Sequence, residues 1–232
     1  MKKLTFRRTS DSPPAEHEML EIDADGSFAM WRSTGRMVGR FAGVVPDIEA
    51  LVHDADRALR SSPAGSDRIA MDATLERIDV DGHQAAIAAD LTLDGWWGVL
   101  LKRCRALMSE LCEQPKAAIE IDLDNPSAPR LVHRGTEPLV LELIQPAATV
   151  GVWRDRDQTA EYWGYADIIE TVSAEHGWQL EIPVPDARPR HGDNVIVEIA
   201  LDVYHDGVPL RVHVSAVAEI AAPDGGVPPN AV

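Results

Sequence analysis

Residues 194–219 read NVIVEIALDVYHDGVPLRVHVSAVAE, and their alternation decides the fold class. Asp206-Gly207 separates two apolar-alternating runs, the strongest short-range signal for a β-hairpin. A two-residue turn there pairs His205 with Val208. The same register aligns Val203 with Leu210, Leu201 with Val212 and Ile199 with Val214. All six apolar side chains fall on one face, because successive strand residues point to opposite sides. The other face carries Asp202 opposite Arg211 and Ala200 opposite His213. One face is therefore core and the other wet, with a cross-strand ion pair worth about a few tenths of a kcal/mol.

Two further Asp-Gly turns, at Asp25-Gly26 and Asp81-Gly82, are read in the first half of the chain. A three-residue loop, Ala24-Asp25-Gly26, matches Ile22 with Phe28 and Leu20 with Met30. The same loop length at Val80-Asp81-Gly82 matches Leu75 with Ile87 and Ala73 with Ala89. Both readings put Gly26 and Gly82 at the left-handed position, where only glycine is unstrained.

Two helices interrupt these strands. Pro46 and Asp47 open the first, with Ile48, Leu51, Val52, Ala55 and Leu59 at i, i+3, i+4, i+7 and i+11. Its first turn carries Asp47 and Glu49 and its last Arg57 and Arg60, as the helix dipole favours. The second is expected from Trp96 to Glu113, with Asp94 as N-cap and Pro115 as stop. Trp97, Leu100, Leu101, Cys104, Leu107, Met108 and Leu111 form its apolar stripe.

After Ala117 the helix signal ends. Strand-like runs follow at 117–123, 130–133, 138–144, 148–154, 160–165, 167–174, 177–182, 194–204 and 208–220. The expectation is a β-rich α+β protein. Residues 1–114 form an antiparallel sheet with two helices, and 115–220 an antiparallel β-sandwich of seven to nine strands. The likeness to immunoglobulin-like sandwiches stops at architecture, because no Cys…Trp…Cys spacing is present. Residues 221–232, rich in Pro and Gly, read as a disordered tail.

Composition narrows the function. The 232 residues are 45% hydrophobic and 26% charged, which excludes wholesale disorder, collagen and coiled coil. The net charge is −16, which argues against nucleic acid or an anionic membrane as partner. It is uneven: residues 1–114 carry −5 and residues 115–232 carry −11. Cys104 and Cys112 lie eight residues apart in one helix, about 12 Å along its axis, too far for a mutual disulfide. No apolar segment follows the basic start Met1–Arg8, so no signal peptide is expected, and a cytoplasmic setting is.

Three Asp-rich turns, Asp23-x-Asp25-Gly26, Asp79-x-Asp81-Gly82 and Asp122-x-Asp124-Asn125, resemble the start of a calcium loop. None continues with the remaining ligands, and hairpin turns account for them without metal. His191-Gly192-Asp193 and His205-Asp206 sit in turns. No zinc spacing, nucleophile elbow or phosphate-binding glycine loop is present, so neither cofactor nor metal is expected. The glycines of Gly35–Gly43 lie in a strand pattern and read as places of close approach.

The aromatic cluster points furthest. Trp153, Tyr162, Trp163, Tyr165 and Trp178 fall within 26 residues, with Arg154, Asp155, Arg156 and Asp157 among them. Aromatics rimmed by charges suit a protein interface. The expected function is a non-catalytic protein-binding or assembly module. Trp153, Arg154, Tyr162, Trp163 and Tyr165 form its contact surface, and its partner is basic and partly apolar. A homo-oligomer fits the same reading. The alternatives are a hydrolase using carboxylates or a His-Asp pair, and a protease-inhibitor-like protein presenting Pro185–Asp193.

Overall fold

A computed structural model describes residues 1–9, 17–33, 35–61, 74–89, 91–111, 115–154, 157–164, 172–182, 190–205 and 207–220. The strands are β1 (Lys3–Thr9), β2 (His17–Asp23), β3 (Ser27–Ser33), β4 (Met37–Val44), β5 (Leu75–Val80), β6 (His83–Ala88), β7 (Ala117–Asp122), β8 (Arg130–Gly135), β9 (Leu139–Arg154), β10 (Asp157–Gly164), β11 (Val172–Ala174), β12 (Gln179–Glu181), β13 (Asn194–His205) and β14 (Val208–Glu219). The helices are α1 (Ile48–Leu59) and α2 (Gly95–Glu110). Among the described residues the protein is thus β-rich with two helices, and its strands pair antiparallel in two open sheets. Among the described residues, no helix is long and apolar enough to cross a membrane.

The larger sheet has nine strands in the order β12-β8-β7-β4-β3-β2-β1-β5-β6. The smaller has five, with β10-β9-β13-β14 in line and β11 also paired to β9. The large sheet therefore draws strands from both sides of residue 114.

Its two faces feed two cores. Leu4, Phe6, Leu20, Ile22, Met30, Ile78 and Val80 pack with Leu51, Ala55 and Ala58 of α1 and Trp97, Leu100, Leu101 and Cys104 of α2. On the opposite side, Met19, Trp31, Val38, Ile119 and Leu131 pack with Val150, Val197, Leu201, Val203 and Val212 of the small sheet. The register of β2 and β3 produces this split: Leu20 faces Met30 and Ile22 faces Phe28, while Met19 faces Trp31. The second side of β1, β5 and β6 contributes no described side chain to either core.

α1 starts at Ile48, the first residue of its apolar stripe, and α2 at Gly95, one residue before the expected Trp96. Asp47 is the N-cap of α1, in the left-handed region at φ 53°, and its carboxylate accepts from the Ala50 N–H at 3.4 Å. Gly95 begins α2 after Asp94, and the helix ends at Glu110, short of the expected Glu113. The glycines of β4 make room for rings. A Cβ on Gly39 would lie 3.0 Å from the Phe41 ring, and one on Gly43 would lie 3.0 Å from the Phe28 ring.

The β13–β14 hairpin has the register expected from its sequence throughout, and Arg211 Nε lies 3.3 Å from Asp202 Oδ1. Two expectations need correction. The β5–β6 turn has two residues, not three: Val80 faces His83 and Leu75 faces Ala88 rather than Ile87. Asp81 at φ 52° and Gly82 at φ 88° form a turn left-handed at both central positions, whose twist suits a hairpin. The Asp81 carboxylate also accepts from the N–H groups of Lys2 and Lys3 at 2.8 Å. Burial works against its charge. Those N–H groups and the N-terminal ammonium outweigh that and hold it below the usual carboxylate range.

The second correction concerns 138–144 and 148–154, which form one strand, β9. Its pairing with β13 shifts between Ile199 and Leu201, so residues 144–147 are skipped. Pro146 falls in that skipped stretch, where no ladder N–H is required of it.

Candidate binding face of the small sheet

β13 shows how the small sheet divides its residues. Val195, Val197, Ile199, Leu201 and Val203 are buried, while Asn194, Ile196, Glu198, Ala200 and Asp202 between them are not. On β9, Val150 and Val152 stand opposite Val197 and Val195, which leaves Gly151 and Trp153 for the outer face.

Cross-strand register then builds a strip. Gly151 stands opposite Ile196, and Ile196 opposite Val217 of β14. In the next row Trp153 stands opposite Asn194, and Asn194 opposite Glu219. The Trp153 indole lies across Gly151: a Cβ there would come within 2.9 Å of its Nε1. The missing side chain of Gly151 is thus the space the indole occupies. Trp153 and Ile196 remain half-buried and Val217 is 63% exposed. An indole, an isobutyl-sized side chain and a valine therefore cross three strands on the outer face, bordered by the exposed Glu198 and Glu219.

Arg154, the next residue, is tied down. Its Nε donates to Asp193 Oδ1 and its Nη2 to Asp193 Oδ2, each at 2.7 Å. Such a two-pronged guanidinium–carboxylate pair fixes geometry as well as charge. Asp193 is buried, and its Oδ2 also accepts from the Arg190 N–H at 2.8 Å. The guanidinium beside it holds the carboxyl below its usual range. The 190–193 turn is further bonded to Ile220 through Gly192 N–H and Asp193 C=O. Arg154 therefore fastens the turn before β13 to the end of β9 and steadies the strand carrying Trp153.

Of the other expected contact residues, Tyr162 stands opposite Val150 and Trp163 opposite Thr149 in the β9–β10 ladder. Tyr165 lies outside the described residues, as do Asp155 and Arg156. Trp178 is half-buried against the core between the sheets.

The three Asp-rich turns use their carboxylates locally. Asp25 accepts from Ser27 N–H and Oγ–H, Asp79 from Gly82 N–H and Gln84 Nε2, and Asp122 from Asp124 N–H and Arg130. Among the described residues, no group of three or more His, Cys, Asp and Glu side chains could hold a metal ion. Cys104 is buried, and that burial, together with Glu76, pushes its thiol up to about 12. It is a packed thiol, not a nucleophile. Cys112 lies outside the described residues.

One constellation went unread in the sequence. Arg32, Glu18, Arg8 and Glu76 occupy one transverse row across β3, β2, β1 and β5, on the side covered by α2. Arg8 donates to Glu18 at 2.9 Å and to Glu76 at 2.8 and 3.0 Å. Arg32 pairs with Glu18 at 3.0 Å and donates to the Met108 carbonyl. Arg105 of α2 closes on Glu76 from above and reaches the Ala89 carbonyl. The signal was there: each of the four takes the inward slot next to a run of inward apolar residues, Arg8 after Leu4 and Phe6 and Glu76 before Ile78 and Val80. Its signs alternate, and through Arg105 and the Met108 carbonyl it joins α2 to the sheet.

Comparison of the chain with protein-family models, with curated proteins and with solved structures gives no match.

Proposed function

We propose that the protein is a non-catalytic binding or assembly module whose contact face is the outer side of the five-stranded sheet. The observation that carries this reading is the Trp153 indole lying over Gly151, in line with Ile196 and the exposed Val217. A strand backbone pinned by Arg154 and Asp193 presents that indole with little conformational freedom left to lose on binding. Aromatic anchors of this kind dominate interface energetics. Glu198 and Glu219 border the strip, and residues 115–232 carry a net charge of −11, so the partner we expect is a protein with a basic, partly apolar surface. The same acidity disfavours nucleic acid and anionic membrane, and we place the protein in the cytoplasm.

The finer architecture belongs to the same proposal. We read residues 115–220 as a sandwich whose second layer is β7, β8 and β12, continuous with the sheet of residues 1–114. Support comes from Ile119 and Leu131 packing with Val150, Leu201 and Val212.

The test is affinity capture from the native host on wild-type, Trp153→Ala and Val217→Glu chains, followed by mass spectrometry. A partner held by wild type and lost by both variants, at unchanged melting temperature, is the expected result. The loss should be about 30-fold for Trp153→Ala, the scale of a 2 kcal/mol anchor. Equal capture by all three chains removes this face from the proposal. Raised salt should also slow association with the true partner.

A further inference from the structure

The open side of β1 and β5 carries an arrangement that folding does not explain. Arg7 stands directly opposite Arg77 in the antiparallel ladder. Directly opposed strand residues have Cβ atoms about 4.5–5.5 Å apart, and like charges there are destabilising. Both side chains are exposed, and neither makes an ion pair or hydrogen bond among the described residues. Arg8, one residue further on, is bound to two carboxylates. In a chain of net charge −16 an opposed arginine pair is not for want of acidic residues.

Among the described residues, two acids on this side, Asp79 and Glu21, are already engaged. Asp79 accepts from Gly82 N–H and from Gln84 Nε2, both at 2.8 Å. Glu21 is paired with Lys3 at 3.1 Å. Between these groups lies a hollow of about 150 Å³ lined by Thr5, Arg7, Arg77, Asp79 and Gln84. A single water needs only about 10–15 Å³ by that measure, so there is room for an oxyanion and its water. Ala86 stands beside Arg77 on β6, and its methyl keeps that wall low.

We propose that this hollow binds a phosphate group, with Arg7 and Arg77 as its two cationic donors and the Thr5 hydroxyl as a neutral one. One guanidinium fork satisfies a carboxylate completely, whereas a tetrahedral phosphate has oxygens enough for two forks. Asp79 in the lining and the net charge of −16 weigh against a polyanionic strand as the ligand.

The test is a titration of the full chain with inorganic phosphate near neutral pH, at ionic strength held constant with chloride, followed by nitrogen-15 NMR. The expected result is one saturable set of shifts confined to β1, β5 and β6. Arg7→Gln and Arg77→Gln should each weaken binding by about tenfold or more, the scale of one lost charge-assisted contact. Arg211→Gln, which removes an exposed arginine of the small sheet, should leave it unchanged. Shifts that never saturate, equal binding by the double variant, equal loss in Arg211→Gln, or acetate saturating as tightly as phosphate would each overturn the assignment.

Discussion

β1 and β5 carry charge on both sides, and the two sides obey different rules. On the side under α2, Arg8 faces Glu76, and every charge of the row has an opposite neighbour. On the open side, one residue along each strand, Arg7 faces Arg77. Burial enforces the first pattern, since an unpartnered ion taken out of water costs several kcal/mol. Water permits the second, because its dielectric constant reduces the repulsion of neighbouring charges to about 1 kcal/mol. The inner row thus concerns folding, while the outer pair leaves room for a role that folding does not fill.

The sharpest way to break this contrast is to remove the centre of the inner row. Glu76 is 0% exposed and serves both Arg8 and Arg105. Glu76→Ala should cost about 3–5 kcal/mol in urea unfolding, because it takes the shared anion from Arg105 and leaves Arg8 only Glu18. A cost below about 1 kcal/mol would mean that water reaches the row, and the distinction between the two sides would fail.

A second, smaller effect extends the contrast to a buried group without a partner. His133 on β8 is buried, and neither ring nitrogen finds a hydrogen bond among the described residues. Burial lowers its pKa below the usual imidazole value, against the opposing pull of the Glu137 backbone and of Glu175, and nearby His176 acts in the same sense as burial. The unfolded chain therefore takes up this proton first as pH falls. Stability is flat above about pH 6.5 and declines below it until the folded state is protonated too. The slope contributed by one such group is at most about 1.4 kcal/mol per pH unit. His133→Leu should remove that slope when the urea midpoints of the two chains are compared across pH 5–7.5. Parallel profiles would show that His133 takes up its proton alike in the folded and unfolded chains.

What was legible in the sequence follows the same division between local and non-local causes. The β13–β14 register could be read from alternation because Ile199, Leu201 and Val203 share one parity and Asp206-Gly207 fixes the turn. The β5–β6 turn could not be read the same way. Leu75 has the opposite parity to Ile78 and Val80, so a one-residue slip still set apolar against apolar. Asp81 settles it, through contacts with Lys2 and Lys3 almost eighty residues away. Arg154 shows the same limit at the candidate site: its partner Asp193 is 39 residues on, and no spacing announces it. Trp153 was legible as an aromatic of interest. Its place on the outer face depends on Gly151 and on the partner strand.

The smallest effect is the one that bears on the outer pair. Arg77→Gln keeps the length and polarity of the side chain but removes one of two opposed charges. It should raise stability by about 0.2–1 kcal/mol at low salt, the range measured for cross-strand charge pairs, and the gain should vanish at high salt. Arg7→Gln should give the same gain, and the two together no more than either alone, because one substitution already ends the repulsion. Full additivity would show that the guanidiniums do not face each other. The sign of this effect separates the two sides of the sheet: inside, losing a charge should cost stability, and outside, it should add a little. A position that is steadier without its arginine is one where the arginine serves something other than the fold.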